Sequence, residues 1–116
     1  MKVEYFESGA TFSRVAKCNG ILYFCGHVDG KKGTTIQEQA KNLLARYEEL
    51  FEQYGTDKEH LISVTIYISD INLVAGLNEV YNQWIVPGKA PARVCVEAKI
   101  PEGYFFEMSV IAAEKD

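Results

Sequence analysis

Apolar residues recur along this chain with two different periods, and the periods predict strands and helices. Between residues 62 and 69, isoleucine or valine occupies every second position, which indicates a strand with one apolar face. Between residues 36 and 54, apolar side chains recur at intervals of three and four, which is the spacing of an amphipathic helix. A second helical stripe runs from Leu73 to Trp84.

Short sequence signals predict where these elements begin and end. Thr35 and Glu38 fit a capping box at the start of the first helix, and Gly55 fits its C-terminal stop. Asn19-Gly20 separates two apolar-rich runs, and both residues tolerate the positive φ of a type I′ hairpin turn. Pro87-Gly88 ends the second helix.

The predicted order is β-β-β-α-β-α-β-β, in a single domain over residues 1–116. Two amphipathic helices suit one face of one mixed sheet, so we expect a two-layer α+β fold. The last two strands are joined by a short turn near Pro101, and we expect them to be neighbours. They carry apolar residues on both faces, so subunit association is expected to cover the second face. The predicted strands span residues 3–6, 12–18, 21–25, 62–69, 92–100 and 104–113.

Composition narrows the class of protein. The chain has 116 residues, 47% of them hydrophobic, with a net charge of −4, which is typical of one ordinary globular domain. The acidic balance and the lack of a basic run argue against a nucleic-acid partner. The N-terminus has no apolar stretch as long as that of a signal peptide, and no apolar segment approaches the length of a membrane span. The odd number of cysteines, without a CxxC motif, favours free thiols in the cytoplasm.

Arg93 and Glu107 are the first candidates for chemistry. Glu107 lies among aromatic and aliphatic neighbours, and a buried carboxylate there needs a charged partner or a raised pKa. Arg93 is the obvious partner if the last two strands are adjacent. Taken alone, this pattern favours a structural ion pair or an exposed edge position over a functional site. Cys25 and His27 have no further ligand cluster beside them, so no metal site is expected.

The segment APARVCVEAKIP at residues 90–101, followed by Phe106-Glu107, resembles the C-terminal motif of the Rid (reactive intermediate deaminase, or YjgF) family. The sequence FCGH at residues 24–27, after the Asn-Gly hairpin, extends the resemblance, which covers nearly the whole chain. It implies a chorismate-mutase-like fold and a homotrimer with sites between subunits. It also implies cofactor-free hydrolysis of imines and enamines, such as 2-aminoacrylate, to 2-keto acids and ammonia.

The resemblance assigns a role to each matching residue. Arg93 would grip a substrate carboxylate through the rigid fork of its guanidinium. Glu107 would deprotonate the attacking water. Cys95 would line the site, where its backbone rather than its thiol holds the ligand. Gly26 would let the backbone approach a ligand.

Three further positions concern the lining of the implied pocket. Phe12 stands where the deaminase branch carries Tyr, and Cys25 where it carries Ser, so two hydroxyl groups are missing. These departures predict a less polar pocket with weak activity on 2-aminoacrylate. His27 is expected to line the cleft as a polar substitute.

Three functions remain open on the sequence. The first is an imine or enamine deaminase. The second is a module that binds or senses a small keto or amino acid without chemistry. The third, an endoribonuclease or translation inhibitor, is a function attached to relatives, and the acidic charge argues against it.

Overall fold

A computed structural model describes residues 1–116. The chain forms one six-stranded sheet with two α-helices. The strand order is β1-β2-β3-β6-β4-β5, and β4–β5 is the parallel pair. The predicted mixed sheet is therefore confirmed. The elements are β1 Val3–Ser8, β2 Ser13–Cys18, β3 Ile21–His27, α1 Ile36–Tyr54, β4 Leu61–Ile68, a 3-10 turn Ile71–Leu73, α2 Val74–Trp84, β5 Ala92–Glu97 and β6 Phe106–Ala113.

The predicted boundaries of α1 and of the first hairpin are confirmed by their backbone geometry. The Thr35 hydroxyl accepts a hydrogen bond from the backbone N–H of Glu38 at 3.1 Å. Gly55 ends the helix in the left-handed region at φ 79°. Asn19 and Gly20 have φ values of 53° and 76°, as a type I′ turn requires.

The core lies between the two helices and one face of the sheet. Tyr47, Phe51 and Phe106 are among its largest fully buried side chains. The Tyr47 hydroxyl donates a hydrogen bond to the carbonyl oxygen of Met108 at 2.7 Å, which joins α1 to β6. Burial raises the pKa of Tyr47, so this hydroxyl remains a neutral donor.

The expectation that the last two strands are neighbours is wrong, because β4 lies between β5 and β6. β4 and β5 are parallel and are connected through α2, as parallel strands require a crossover. The segment after Glu97 then carries the chain past the end of β4, where Ala98 donates its N–H to the carbonyl of Ile68 at 2.9 Å. β5 is therefore an edge strand, and it is shorter than predicted.

The second face of the sheet bears no helix and is rich in apolar side chains. The strand registers place these residues on it in rows, for example Tyr5, Ala16 and Tyr23. This confirms the prediction that both faces of the strands carry apolar residues. The exposed large apolar side chains of this open face are Val3, Tyr5, Tyr23, Tyr67, Val94 and Val96.

Candidate functional site

Glu107 lies on the open face of the sheet, in the register row of Tyr67 and Val96. Its side chain is half-buried. The ion pairs and side-chain hydrogen bonds of the chain all involve other residues. A half-buried carboxylate with no partner in its own chain is free to accept a hydrogen bond from a ligand or a water molecule.

Gly26 leaves the space in which this carboxylate sits. A Cβ atom at Gly26 would lie 2.5 Å from Oε2 of Glu107, closer than any van der Waals contact. The extra residue between Phe24 and His27 interrupts the pairing with β6 at this point. The exposed backbone of Gly26 and the carboxylate therefore border one space. Glu107 also lines a shallow cavity of about 290 Å³ with Tyr67 and Lys99.

We predict that Gly26→Ala keeps the fold and lowers turnover of any substrate that uses Glu107. The fold should survive because the clash involves the far end of a flexible side chain. Turnover should fall by about tenfold or more, because a displacement of about 1 Å in a reacting group is costly. Gly30→Ala is the matched control, since its Cβ would meet no atom within 4 Å. Thermal melts and steady-state rates measure both effects, and equal rates in the two variants would contradict the prediction.

Arg93 lies on the opposite, helix-covered face, in register with Val64. Its guanidinium carbon is 4.5 Å from the centre of the Tyr81 ring, in the geometry of a cation–π contact. It forms no ion pair with Glu107 or with any other carboxylate. The structural ion pair, one of the two readings that the pattern alone favoured, is therefore absent within the subunit.

Arg93 and Glu107 do not converge within one subunit. Two strand spacings separate β5 from β6, which is about 10 Å. Arg93 also lies three residues before Val96, the β5 residue in the row of Glu107, which adds about 10 Å along the strand. Because the two side chains also point to opposite faces, one small ligand cannot contact both in the same subunit.

Cys95 and Glu97 share the helix-covered face with Arg93. Cys95 is in register with Ile66 and packs against the core. The Glu97 carboxylate accepts a hydrogen bond from the N–H of Ile71 at 2.9 Å, which anchors the 3-10 turn before α2. Glu97, the acidic residue of the VCVE segment, therefore stabilises the fold through this hydrogen bond.

The two positions that depart from the deaminase pattern differ in exposure. Phe12 is 59% exposed in the connection between β1 and β2. Cys25 is half-buried near the end of β3, and burial raises the pKa of its thiol. A raised pKa disfavours the thiolate, so Cys25 is not an activated nucleophile.

His27 lies on the helix side of the sheet, in register with the core residue Met108. Its Nδ1 is 2.8 Å from the carbonyl oxygen of Cys25 and 3.1 Å from the Tyr47 hydroxyl. Burial lowers the pKa of His27. No group of three or more His, Cys, Asp or Glu side chains has an arrangement that fits a metal ion.

Sequence reasoning missed Tyr81 and Tyr67 as neighbours of the candidate residues. Tyr81 falls within the predicted helical stripe from Leu73 to Trp84, where the spacing indicates only an apolar position. Its contact with Arg93 depends on the parallel pairing of β4 and β5, which has no local signal in the sequence. Tyr67 alternates with the isoleucine and valine positions of the strand predicted at residues 62–69, so the pattern indicates only that it lies off the apolar face. Its place beside Glu107 depends on the insertion of β6.

Comparisons with known proteins agree with this architecture. The family model described as Endoribonuclease L-PSP matches residues 4–114. The RutC family protein YoaB of Escherichia coli is 30% identical over 97% of this chain and 99% of its own length. The mitochondrial protein Mmf2 of Schizosaccharomyces pombe is 34% identical over 91% of this chain and 90% of its own.

Solved structures show the same fold. NMB1025 of Neisseria meningitidis, a member of the YjgF protein family, superposes with a TM-score of 0.94 at 31% identity, over 100% of this chain and 98% of that one. The chain therefore belongs to the Endoribonuclease L-PSP family, which is also called the YjgF or Rid family. Neither α-helix combines the length and the apolar character needed to cross a bilayer.

Proposed function

We propose that this protein hydrolyses reactive imines or enamines derived from amino acids, without a cofactor, and releases 2-keto acids and ammonia. The observation that carries the proposal is the unpartnered, half-buried carboxylate of Glu107 beside the exposed backbone of Gly26. Such a group can act as a general base on a water molecule next to a bound ligand. The resemblance of residues 90–101 and of Phe106-Glu107 to the Rid motif implies the same chemistry.

Glu107 would hold the attacking water and accept one proton from it as the oxygen bonds to the imine carbon, and this proton passes to the imine nitrogen to give the neutral carbinolamine. Glu107 would then take the hydroxyl proton as the C=O bond forms and the C–N bond breaks, and deliver it to the departing NH2 group, which leaves as ammonia. The balance is one imine and one water in, one ketone and one ammonia out. An enamine such as 2-aminoacrylate must first gain a proton at carbon and lose one from nitrogen to become the imine.

Arg93 would bind the substrate carboxylate through two charge-assisted hydrogen bonds. Because Arg93 and Glu107 are too far apart within one subunit, we place the site between two subunits, with each residue supplied by a different copy. β5 is an edge strand, so its end of the sheet is open to a neighbouring chain. The apolar open face provides the surface for association, and we propose a homotrimer.

We predict that the protein runs as a particle of three times its 13.0 kDa chain mass in multi-angle light scattering across a dilution series. Tyr23→Asp should dissociate it, because Tyr23 is exposed on the open face and a buried, unpaired charge is costly. Lys41→Glu, on the outer side of α1, is the control and should leave the assembly intact. A soluble wild-type monomer would exclude both the trimer and the shared site.

The direct test of the proposal measures ammonia and keto-acid release from imines generated in situ by an amino-acid oxidase. The wild-type protein should accelerate release above the rate in buffer. Saturable binding of 2-keto acids without any acceleration would favour the second function, a binding or sensing module. That alternative is supported by the separation of Arg93 and Glu107 in the single chain.

The pocket lining leads to a prediction about substrate size. With Phe12 and Cys25 in place of Tyr and Ser, the site should favour imines with branched or aromatic side chains over the imine derived from serine. Phe12→Tyr combined with Cys25→Ser should shift the ratio of kcat/KM values toward the serine-derived imine. The ratios for imines from serine, leucine and phenylalanine measure this. A wild-type preference for the smallest imine that the double change leaves unaltered would show that these positions do not set specificity.

We place this activity in the cytoplasm, since all three cysteines are free thiols. The family's description names an endoribonuclease activity, but the net charge of −4 on this chain does not favour RNA binding. RNA binding depends on a basic surface that neutralises phosphates.

A further inference from the structure

A second cleft, apart from Arg93 and Glu107, opens between α1, the end of β3 and the loop that follows β3. Its volume is about 480 Å³, which lies within the range of small-molecule pockets. Arg14, His27, Lys31 and Arg46 are among its lining residues. An acidic chain thus gathers three cationic side chains and one imidazole around a single cavity.

The two guanidinium groups of the cleft have no partners. The ion pairs of the chain join other residues. Neither Arg14 nor Arg46 donates a side-chain hydrogen bond to any group of the chain. Arg14 comes from β2 and Arg46 from α1, so two separate elements direct positive charge toward one space. Their common proximity to His27 is evident because both guanidiniums lower its pKa, in addition to the larger effect of burial.

Most carboxylates near the cleft are already occupied. Asp29 accepts hydrogen bonds from the backbone N–H groups of Lys31 and Gly33 at 2.9 and 2.8 Å and from the Asn42 amide at 3.0 Å. These bonds fix the loop and lower the pKa of Asp29 against the opposing effect of its burial. Asp29 therefore shapes the cleft, and its oxygens are bonded to neutral donors rather than to either arginine.

The remaining acids of the cleft are Glu7 and Glu49. Glu7 accepts a hydrogen bond from the Tyr54 hydroxyl. Glu49 is exposed and is the acid of the lining without a hydrogen bond or ion pair. With Asp29, the three carboxylates of the lining balance its three cations in formal charge, but none of them forms an ion pair or a hydrogen bond with Arg14 or Arg46.

His27 adds a hydrogen-bond acceptor. Its Nδ1 must carry the hydrogen, because the carbonyl oxygen of Cys25 at 2.8 Å can only accept. The Tyr47 hydroxyl, whose own hydrogen goes to the Met108 carbonyl at 2.7 Å, also accepts from this nitrogen. The neutral ring therefore holds a lone pair on Nε2, which has no partner in the chain and is not enclosed.

We propose that this cleft is a second ligand site, which binds a small organic oxyanion, a carboxylate or a phosphate monoester, that carries a hydroxyl or another hydrogen-bond donor. Arg14 and Arg46 grip the oxyanion from two sides, as guanidiniums do with planar or tetrahedral oxygen groups. Lys31 adds charge at the rim. The Nε2 atom of His27 accepts the hydrogen bond from the ligand's donor.

The experiment titrates the intact protein with inorganic phosphate or with glycolate, a carboxylate that carries a hydroxyl donor, at constant ionic strength and follows the ¹⁵N signals of the His27 ring. We expect a saturable shift with at least one of the two anions. Arg14→Gln and Arg46→Gln should each weaken that binding by about tenfold or more, since a hydrogen bond to a charged group contributes at least that much. Arg46→Lys should recover it only partly. A response to phosphate alone identifies a phosphorylated ligand, and a response to glycolate alone identifies a carboxylate.

Two controls separate this site from general charge and from the proposed hydrolytic site. Lys41→Gln removes an exposed cation from the same helix and should leave the affinity unchanged. Arg93→Gln should also leave it unchanged, although it impairs the proposed hydrolytic site. The absence of a saturable shift with both anions up to about 50 mM, well above the millimolar Kd of a weak specific site, would overturn the proposal. So would equal losses in Lys41→Gln and Arg14→Gln.

Discussion

Glu107→Gln should abolish most turnover of imine substrates while the protein folds and binds ligand normally. Glutamine has the same shape and still accepts a hydrogen bond, but it cannot take a proton from water. Loss of a general base typically costs a factor of about 10² to 10⁴ in rate. The half-buried carboxylate has no partner in its own chain, so the neutral amide leaves no broken ion pair behind.

Steady-state kinetics beside a keto-acid titration separates these effects. We expect kcat to fall with little change in the Kd of the keto acid, which is the pattern of an interaction made in the transition state. Glu102→Gln is the matched control, because Glu102 is an exposed glutamate in the turn before β6. Wild-type rates in Glu107→Gln would remove this residue from the mechanism.

Arg93→Ala should eliminate measurable carboxylate binding with only a small loss of stability. A bidentate pair of charge-assisted hydrogen bonds accounts for about 1.5–3 kcal/mol per bond, so affinity should fall by at least about a hundredfold. Because Arg93 has no carboxylate partner, its removal leaves no uncompensated buried charge. The lost contact with Tyr81 should cost about 1 kcal/mol of unfolding free energy.

Two further variants complete this test: Arg93→Lys is the conservative change, and Lys89→Ala is the matched control. Lysine keeps the charge but lacks the planar fork, so it should restore binding poorly. Lys89 is an exposed cation in the loop before β5, and its loss should change neither affinity nor stability. Thermal melts and isothermal titration measure the two quantities. A large drop in melting temperature with unchanged ligand affinity would refute the clamp and assign Arg93 a structural role.

The candidate residues show how much of the site can be identified from the sequence alone. Gly26 and Glu107 were both identified from a motif, and the structure brings them into contact across β3 and β6. Arg93 was identified from the same motif, yet the structure places it beyond an intervening strand on the other face. Sequence spacing gives the face of each residue within its own strand, but it carries no information on which strand lies alongside.

The local elements followed from the sequence alone, whereas the strand order and the site depended on the tertiary structure. Local signals determine helix α1 with its Thr35 cap, the Asn19-Gly20 hairpin and the strands with apolar residues on both faces. Each depends on residues within a few positions of one another, so side-chain period and turn chemistry are sufficient. The insertion of β6 between β3 and β4 depends on pairing between segments far apart in the chain. That pairing is decided by burial against both helices at once, and it separates Arg93 from Glu107.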